Sequence, residues 1–222
     1  MSVVPMKNRS ATLLAILAAN SHFGQAEIHR TMLVKQTFLA ETIRPLYQLW
    51  KQTFKFIRYN YGPYSDDIFY CLDTLIFNGL AEVTTLERHG GRVEARYQIT
   101  REGFSILDQI NIGETRELAY DLVWALRSLG IDQSIAICKL VYKEAEFARI
   151  LSEHTKKGIS PVAKVPIQAI TAANNNTFMM LTTLQELMQN PPHGEIVEKS
   201  YLPTKEVVRV FLKSLVMQVQ NA

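Results

Sequence analysis

Tyr61-Gly62-Pro63-Tyr64-Ser65-Asp66-Asp67, continued by Ile68-Phe69-Tyr70-Cys71-Leu72-Asp73-Thr74-Leu75-Ile76-Phe77 and then Asn78-Gly79-Leu80, decides how the rest of the chain is read. Gly62-Pro63 signals a turn. Ser65 stands where a helix N-cap belongs. Asp66 and Asp67 fall in the first helical turn, where the helix dipole favours negative charge. Ile68, Cys71, Leu72, Leu75 and Ile76 recur at i, i+3, i+4, i+7 and i+8, which makes one apolar stripe of an α-helix. Asn78-Gly79 stops it, because glycine takes the left-handed backbone that helix ends commonly use.

Downstream, residues 81–86 and 92–99 are β-type runs, with His89-Gly90-Gly91 supplying the turn between them. Thr100 caps a helix that reaches about residue 110. Upstream, Ser10 caps a helix through Ala19, with Leu13, Leu14, Ile16 and Leu17 turned inward. Residues 20–24 break it. A second helix is expected over 25–41, a short one over 46–54 and an extended segment over 55–61. Helices followed by a hairpin in this order are the pattern of a winged helix-turn-helix. The predicted fold is therefore mainly α: a winged-helix domain over residues 1–111, with a β-hairpin wing, and a helical C-terminal region over 112–222. That second region reads as helices over 115–129, 133–154 and 178–189, a long connection over 156–176, and a last helix capped by Thr204. The last helix carries an apolar stripe of Val208, Phe211, Leu212, Leu215 and Val219, suited to ordinary core or to a homodimer contact.

Hydrophobic residues make up 47% of the 222 and charged residues 20%, proportions that call for a sizeable core. No apolar run approaches the roughly 18 residues of a membrane span, so no membrane is expected. The run at 11–19 behind Lys7 and Arg9 reads as the first core helix and not as a signal peptide. Cys71 and Cys138 lie in apolar helical patterns, as reduced thiols of a cytoplasmic protein would. His22, His29, His89, His154 and His193 are scattered without ligand spacing, so neither a metal nor a cofactor is expected. Ser65, Ser160 and the histidines form no nucleophile–base motif, and Gly62, Gly79, Gly90 and Gly91 are turn glycines. The chain reads as a non-enzyme.

The stretch FKFIRYNYGPYSDDIFYCLDTLIFNGLAEV resembles the bacterial YwgA-like proteins and, more distantly, the Panacea antitoxin domain. The likeness lies in F-x-F, then YGPYS, then L-x-x-L-x-x-x-G-L. YQITREGFSIL is similar to the Y-x-[LI]-T-x-x-G that closes the wing in many winged-helix regulators. The resemblance covers about residues 10–110. It implies a small cytosolic protein of a bacterial regulatory, toxin–antitoxin or phage-defence system, acting by contact.

Charge is distributed unevenly. Residues 1–60 hold 8 basic and 2 acidic side chains, residues 61–130 hold 6 and 11, and residues 131–222 hold 10 and 8. No Lys or Arg occurs between Arg58 and Arg88. A helix that reads DNA needs Arg, Lys, Asn or Gln at base edges and cations at phosphates. The helix after Ser65 offers aspartate and aromatic residues instead. Tyr64, Asp67, Tyr70, Asp73 and Phe77 are the expected protein-contact face. The alternative is a DNA-binding regulator that uses Arg88, Arg92 and Arg96 in the hairpin, with Arg30, Lys35, Arg44, Lys51, Lys55 and Arg58 as phosphate holders.

Overall fold

The computed structural model describes residues 8–49, 53–59, 62–89 and 92–131, with positions 205, 206, 208–210, 212 and 213 near the C-terminus. The helices expected over 133–154 and 178–189, the connection over 156–176 and Cys138 lie outside the described residues, as do Phe211, Leu215 and Val219. The described part is mostly helical with a small three-stranded antiparallel sheet.

Helix α1 (Asn8–His22) has almost no polar face, and every residue from Ala11 to Asn20 is buried. A helix that is apolar all round belongs inside the protein, and α1 is packed by elements on all its sides. These are α2 (Arg30–Ile43), α3 (Asp66–Phe77), α4 (Arg101–Gln109) and α5 (Gly113–Ser128), together with the last strand of the sheet. The polar exception in its second half is Asn20. Its Nδ2 donates to the Ile16 carbonyl at 2.8 Å and to Gln36 Oε1 at 2.7 Å, and Gln36 Nε2 donates back to Asn20 Oδ1 at 3.2 Å. This reciprocal amide pair satisfies both side chains inside the core and sets α2 against α1.

Where the sequence suggests one helix over 25–41, the chain first makes a two-residue strand, β1 (Ile28–His29), and only then α2. Ile28 lies opposite Tyr97 and His29 opposite Arg96. Two residues are too few to show an alternating pattern, so only the tertiary partner reveals this strand. The helix expected over 46–54 is a single 3₁₀ turn, Arg44–Tyr47, after which Gln48 takes a φ of 59°. Strands β2 (Ile57–Tyr59) and β3 (Gly62–Tyr64) form a small antiparallel hairpin, with Ile57 opposite Tyr64.

Helix α3 buries Ile68, Leu72 and Leu75, with Cys71 and Ile76 half-buried beside them. Its N-terminus departs from expectation. Ser65 is in the N-cap position with extended backbone, but its side chain makes no capping bond and its buried Oγ has no hydrogen-bond partner among the described residues. Asp66 and Asp67 are left to favour that end through the dipole. The C-terminus is a Schellman ending: Gly79 N–H bonds the Ile76 carbonyl at 2.9 Å and Leu80 N–H the Leu75 carbonyl at 2.9 Å. Gly79, at φ +70°, supplies the left-handed residue.

Strands β4 (Ala81–His89) and β5 (Arg92–Ile99) form the long hairpin, and the sheet order is β1-β5-β4. Ala95, Tyr97 and Ile99 are buried, so one face of the sheet rests on the helices. A bulge shifts the pairing: Val83 faces Tyr97, but Thr85 faces Arg96 and Leu86 faces Ala95. Side chains alternate along a strand, so the extra residue puts Leu86 on the helix side with Val83.

The Thr-x-x-Gly that follows β5 has a physical cause. Thr100 Oγ1 accepts the Gly103 N–H at 3.0 Å and donates to the Gly79 carbonyl at 2.6 Å, so one hydroxyl caps α4 and ties it to the turn after α3. A Cβ at Gly103 would run into the Leu80 carbonyl and come within 2.7 Å of Ile99 Cγ1. Only glycine lets α4 sit this close to that turn.

Helix α5 begins beyond the expected boundary at 111, yet Leu118, Ala119, Leu122, Val123 and Leu126 belong to the same core as α1. The C-terminal segment joins it: Val208 and Leu212 are fully buried, and Lys205 and Arg209 lie over the Trp124 ring at 5.4 and 5.8 Å. These two residues of the last helix are thus core of their own chain. Tyr47 Oη donates to Asp121 Oδ2 at 2.8 Å across α5 and the 3₁₀ turn. Burial pushes the Asp121 carboxyl above its ordinary value, opposed by the Tyr47 bond and by Lys205 and reinforced by Glu117.

Two outcomes follow from this packing. Gly103→Ala is expected to lower stability by about 1–3 kcal/mol, as overpacking does, read as a shifted urea midpoint. An unchanged midpoint would mean that the α4 contact yields without cost. The raised Asp121 carboxyl binds its proton more tightly in the folded chain than in the unfolded one. Its contribution is therefore present below the ordinary value of 3.8 and is lost as pH rises through the higher folded value. Asp121→Asn keeps an acceptor for Tyr47 and should flatten that part of the stability–pH curve. An identical slope in both proteins would place the dependence elsewhere.

Candidate protein-contact face

Helix α3 turns Tyr70, Asp73 and Phe77 outward, at i, i+3 and i+7, on the side opposite its buried stripe. Tyr70 is 71% exposed and Phe77 is 90% exposed. Asp66, Thr74 and Asn78 are exposed with them. The other two residues expected in this face, Asp67 and Tyr64, lie at its margins and are engaged. Asp67 Oδ1 is 3.0 Å from Arg9 Nη1, and Arg9 Nε also donates to the Thr53 carbonyl at 2.7 Å. An α1 cation thus neutralises one acid of α3 while fastening the segment before β2.

Tyr64 is half-buried at the end of β3, with its ring stacked on Phe69 at 5.4 Å between centroids. The Arg30 guanidinium lies 3.8 Å from the centroid of the same Phe69 ring, a close cation–π contact. Burial pushes the Tyr64 hydroxyl above its ordinary value, a hydrogen bond with Asp66 adds to this, and Arg30 opposes it. Burial also raises the Tyr97 hydroxyl, with Arg30 lowering it and Asp73 raising it. Arg30, Tyr64, Phe69, Tyr97 and Asp73 are therefore electrostatic neighbours where α2, β3, α3 and β5 meet. Sequence patterning found the acids and aromatics of α3 and cast Arg30 as a phosphate holder, where the fold lays it on Phe69 from a different helix.

The candidate phosphate holders are dispersed. Lys35 is buried, and its Nζ donates to the Pro63 carbonyl at 3.1 Å, so a cation of α2 props the Gly62-Pro63 turn from inside. Arg44 is buried, with Nη1 3.6 Å from Glu41 Oε1, while Glu41 Oε2 accepts the Thr53 N–H at 2.8 Å. Burial pushes the Glu41 carboxyl up, against Thr53 and Arg44, and pushes the Arg44 guanidinium down, against Glu41. Both cations carry long apolar stems that pack inward while the charged heads find acceptors. Lys55 is exposed and Arg30 lies on Phe69. Lys51 and the side chain of Arg58 lie outside the described residues.

In the hairpin, Arg96 Nη1 is 3.6 Å from Glu27 Oε2, and His29 Nδ1 is 4.0 Å from Glu94 Oε2. Arg96 points away from the helices, on the face shared with Thr85. The side chains of Arg88, His89 and Arg92 lie outside the described residues. No group of three or more His, Cys, Asp or Glu positioned for a metal occurs among the described residues. No helix among them is long and apolar enough to cross a membrane. The sequence matches no protein-family model and no curated protein.

Replacing Lys35 by Met keeps the stem and removes the donor to Pro63. Stability should fall by about 1–3 kcal/mol, the cost of an unpaired buried carbonyl, and amide exchange should quicken at residues 62–64. Unchanged exchange there would mean that the lysine does not hold the turn.

Proposed function

We propose that this chain is a winged-helix binding module that works by protein–protein contact, as a non-catalytic subunit or antitoxin-like adaptor of a bacterial regulatory or defence system. The winged-helix reading rests on the order α1, β1, α2, α3 and long hairpin, interrupted between α2 and α3 by the 3₁₀ turn and the small β2–β3 hairpin, and on the sheet order β1-β5-β4, which puts the first strand beside the second arm of the long hairpin. The resemblance of YGPYS and YQITREG to YwgA-like and winged-helix regulators points the same way.

One observation carries the functional reading. The outward face of α3, which enters the groove in a DNA-reading winged helix, presents Tyr70, Asp73 and Phe77. A phenyl ring left almost wholly in water forgoes the ~1.5–3 kcal/mol that burial would return. Paired with aspartate in place of arginine, it suits a protein partner and repels phosphate. Arg96 in the hairpin and Lys35 and Arg44 in α2 and its extension have intramolecular partners, so the DNA-regulator alternative rests on fewer cations than composition suggests.

Labelled random duplex DNA titrated with the full chain at about 50 and 200 mM salt separates the two readings. The contact reading expects no micromolar binding at the lower salt. Binding that collapses on the order of 10³-fold at the higher salt, and weakens in Arg92→Ala/Arg96→Ala, would replace it with the regulator. For the contact face, Tyr70→Ala/Asp73→Lys should abolish capture of the products of neighbouring genes while leaving the thermal midpoint unchanged. Undiminished capture would show that α3 is not the face.

A further inference from the structure

The contact reading leaves out an exposed apolar row that the hairpin carries. Val83 is 41% exposed and Leu86 is 71% exposed. Without the bulge after Val83, Leu86 would face Glu94 on the outer side of the sheet. With it, Leu86 faces Ala95, on the side where Tyr97 and Ile99 meet the helices. An isolated leucine on a solvated strand needs no explanation. A leucine turned by an irregular pairing towards the helix side, and still uncovered there, does.

Helix α3 packs on that same side of the sheet, against β4, and joins it through Asn78–Leu80. Helix and strand, joined at Asn78–Leu80, meet in a corner: the helix exposes Tyr70, Phe77, Asp66 and Asp73, and the strand exposes Val83 and Leu86. No lysine or arginine occurs from residue 59 to 87. Two cations reach α3 from outside: Arg9 is held by Asp67, and Arg30 is laid on Phe69.

We propose that this corner binds an apolar segment of a partner protein flanked by lysine or arginine. The proposal rests on the protein-contact reading above and extends it to the hairpin and to the chemistry of the ligand. Apolar side chains of the segment cover Phe77, Val83 and Leu86, and its cations meet Asp66 and Asp73. Charge selects this occupant. Nucleic acid would bring phosphates to the aspartates. A second copy using the same face across a two-fold axis would return an identical acidic surface to this one.

The test uses the full-length chain and two fluorescein-labelled amphipathic peptides of equal length, one built from Lys and Leu, the other with Glu at every Lys position. Binding is followed by anisotropy at about 150 mM salt, where the Debye length is ≈ 8 Å. The chain carries a net charge of +3, so a preference for the cationic peptide reports the local field and not the overall charge. The Lys/Leu peptide should bind at least tenfold tighter than the Glu/Leu peptide. Leu86→Ser should weaken it about tenfold with an unchanged urea midpoint, and Asp73→Lys should remove the preference. Equal affinity for both peptides overturns the proposal. So does a dimer that Leu86→Ser dissociates, which would name a second copy as the occupant, or duplex DNA whose binding Leu86→Ser weakens. If Tyr70→Ala weakens the Lys/Leu peptide and Leu86→Ser does not, the hairpin extension falls and the α3 face stands. If neither variant matters, both fall.

Discussion

The burial of α1 on every side is the constraint from which the other contacts follow. A helix with no face to give to water must be enclosed, and each surrounding element has to bring it an apolar surface. Alanine at positions 11, 15, 18 and 19 lets those elements come close, while Leu13, Leu14, Ile16 and Leu17 fill the space between them. The inner stripes of α3 and α5, the buried side of β5 and the docked Val208 and Leu212 all answer this demand. Asn20 and Gln36 then resist sliding of α2 along α1, because either amide moved out of reach would be buried without a partner.

Much of the positive charge in the first 60 residues is structural. Lys35 holds a turn, Arg44 faces Glu41, and Arg9 joins Asp67 to the segment before β2. Lys35 and Arg9 each meet an acceptor far along the chain, and Arg44 meets one a single helical turn away. The surface is therefore less polarised than the count of charges suggests, and the acidic-aromatic face of α3 stands out more clearly against it.

What could be read from the chain was local. The stripe of α3, its ending at Gly79, the two arms of the hairpin and the Thr100 cap are short-range patterns, and all four are present in the fold. The exposure of Tyr70, Asp73 and Phe77 follows from the same helical period. The features that patterning missed depend on partners far along the chain. Strand β1 exists because of Tyr97 and Arg96, the capping role assigned to Ser65 is not taken up by its buried hydroxyl, and Lys35 is internal because Pro63 accepts from it. Leu86 is the subtlest case: its alternation reads as outward-facing until a pairing shift elsewhere in the strand reverses it.

That shift makes the bulge a spare residue. Deleting one residue between Val83 and Leu86 would leave Val83 opposite Tyr97 and Leu86 opposite Ala95, now by regular alternation and with no bulge. Straightening the strand at its present length would instead slide each later partner by one place and turn Leu86 outward, opposite Glu94. The apolar ledge therefore survives the loss of a residue but not the loss of an irregularity, and a shorter hairpin could carry the same ledge on a plain strand.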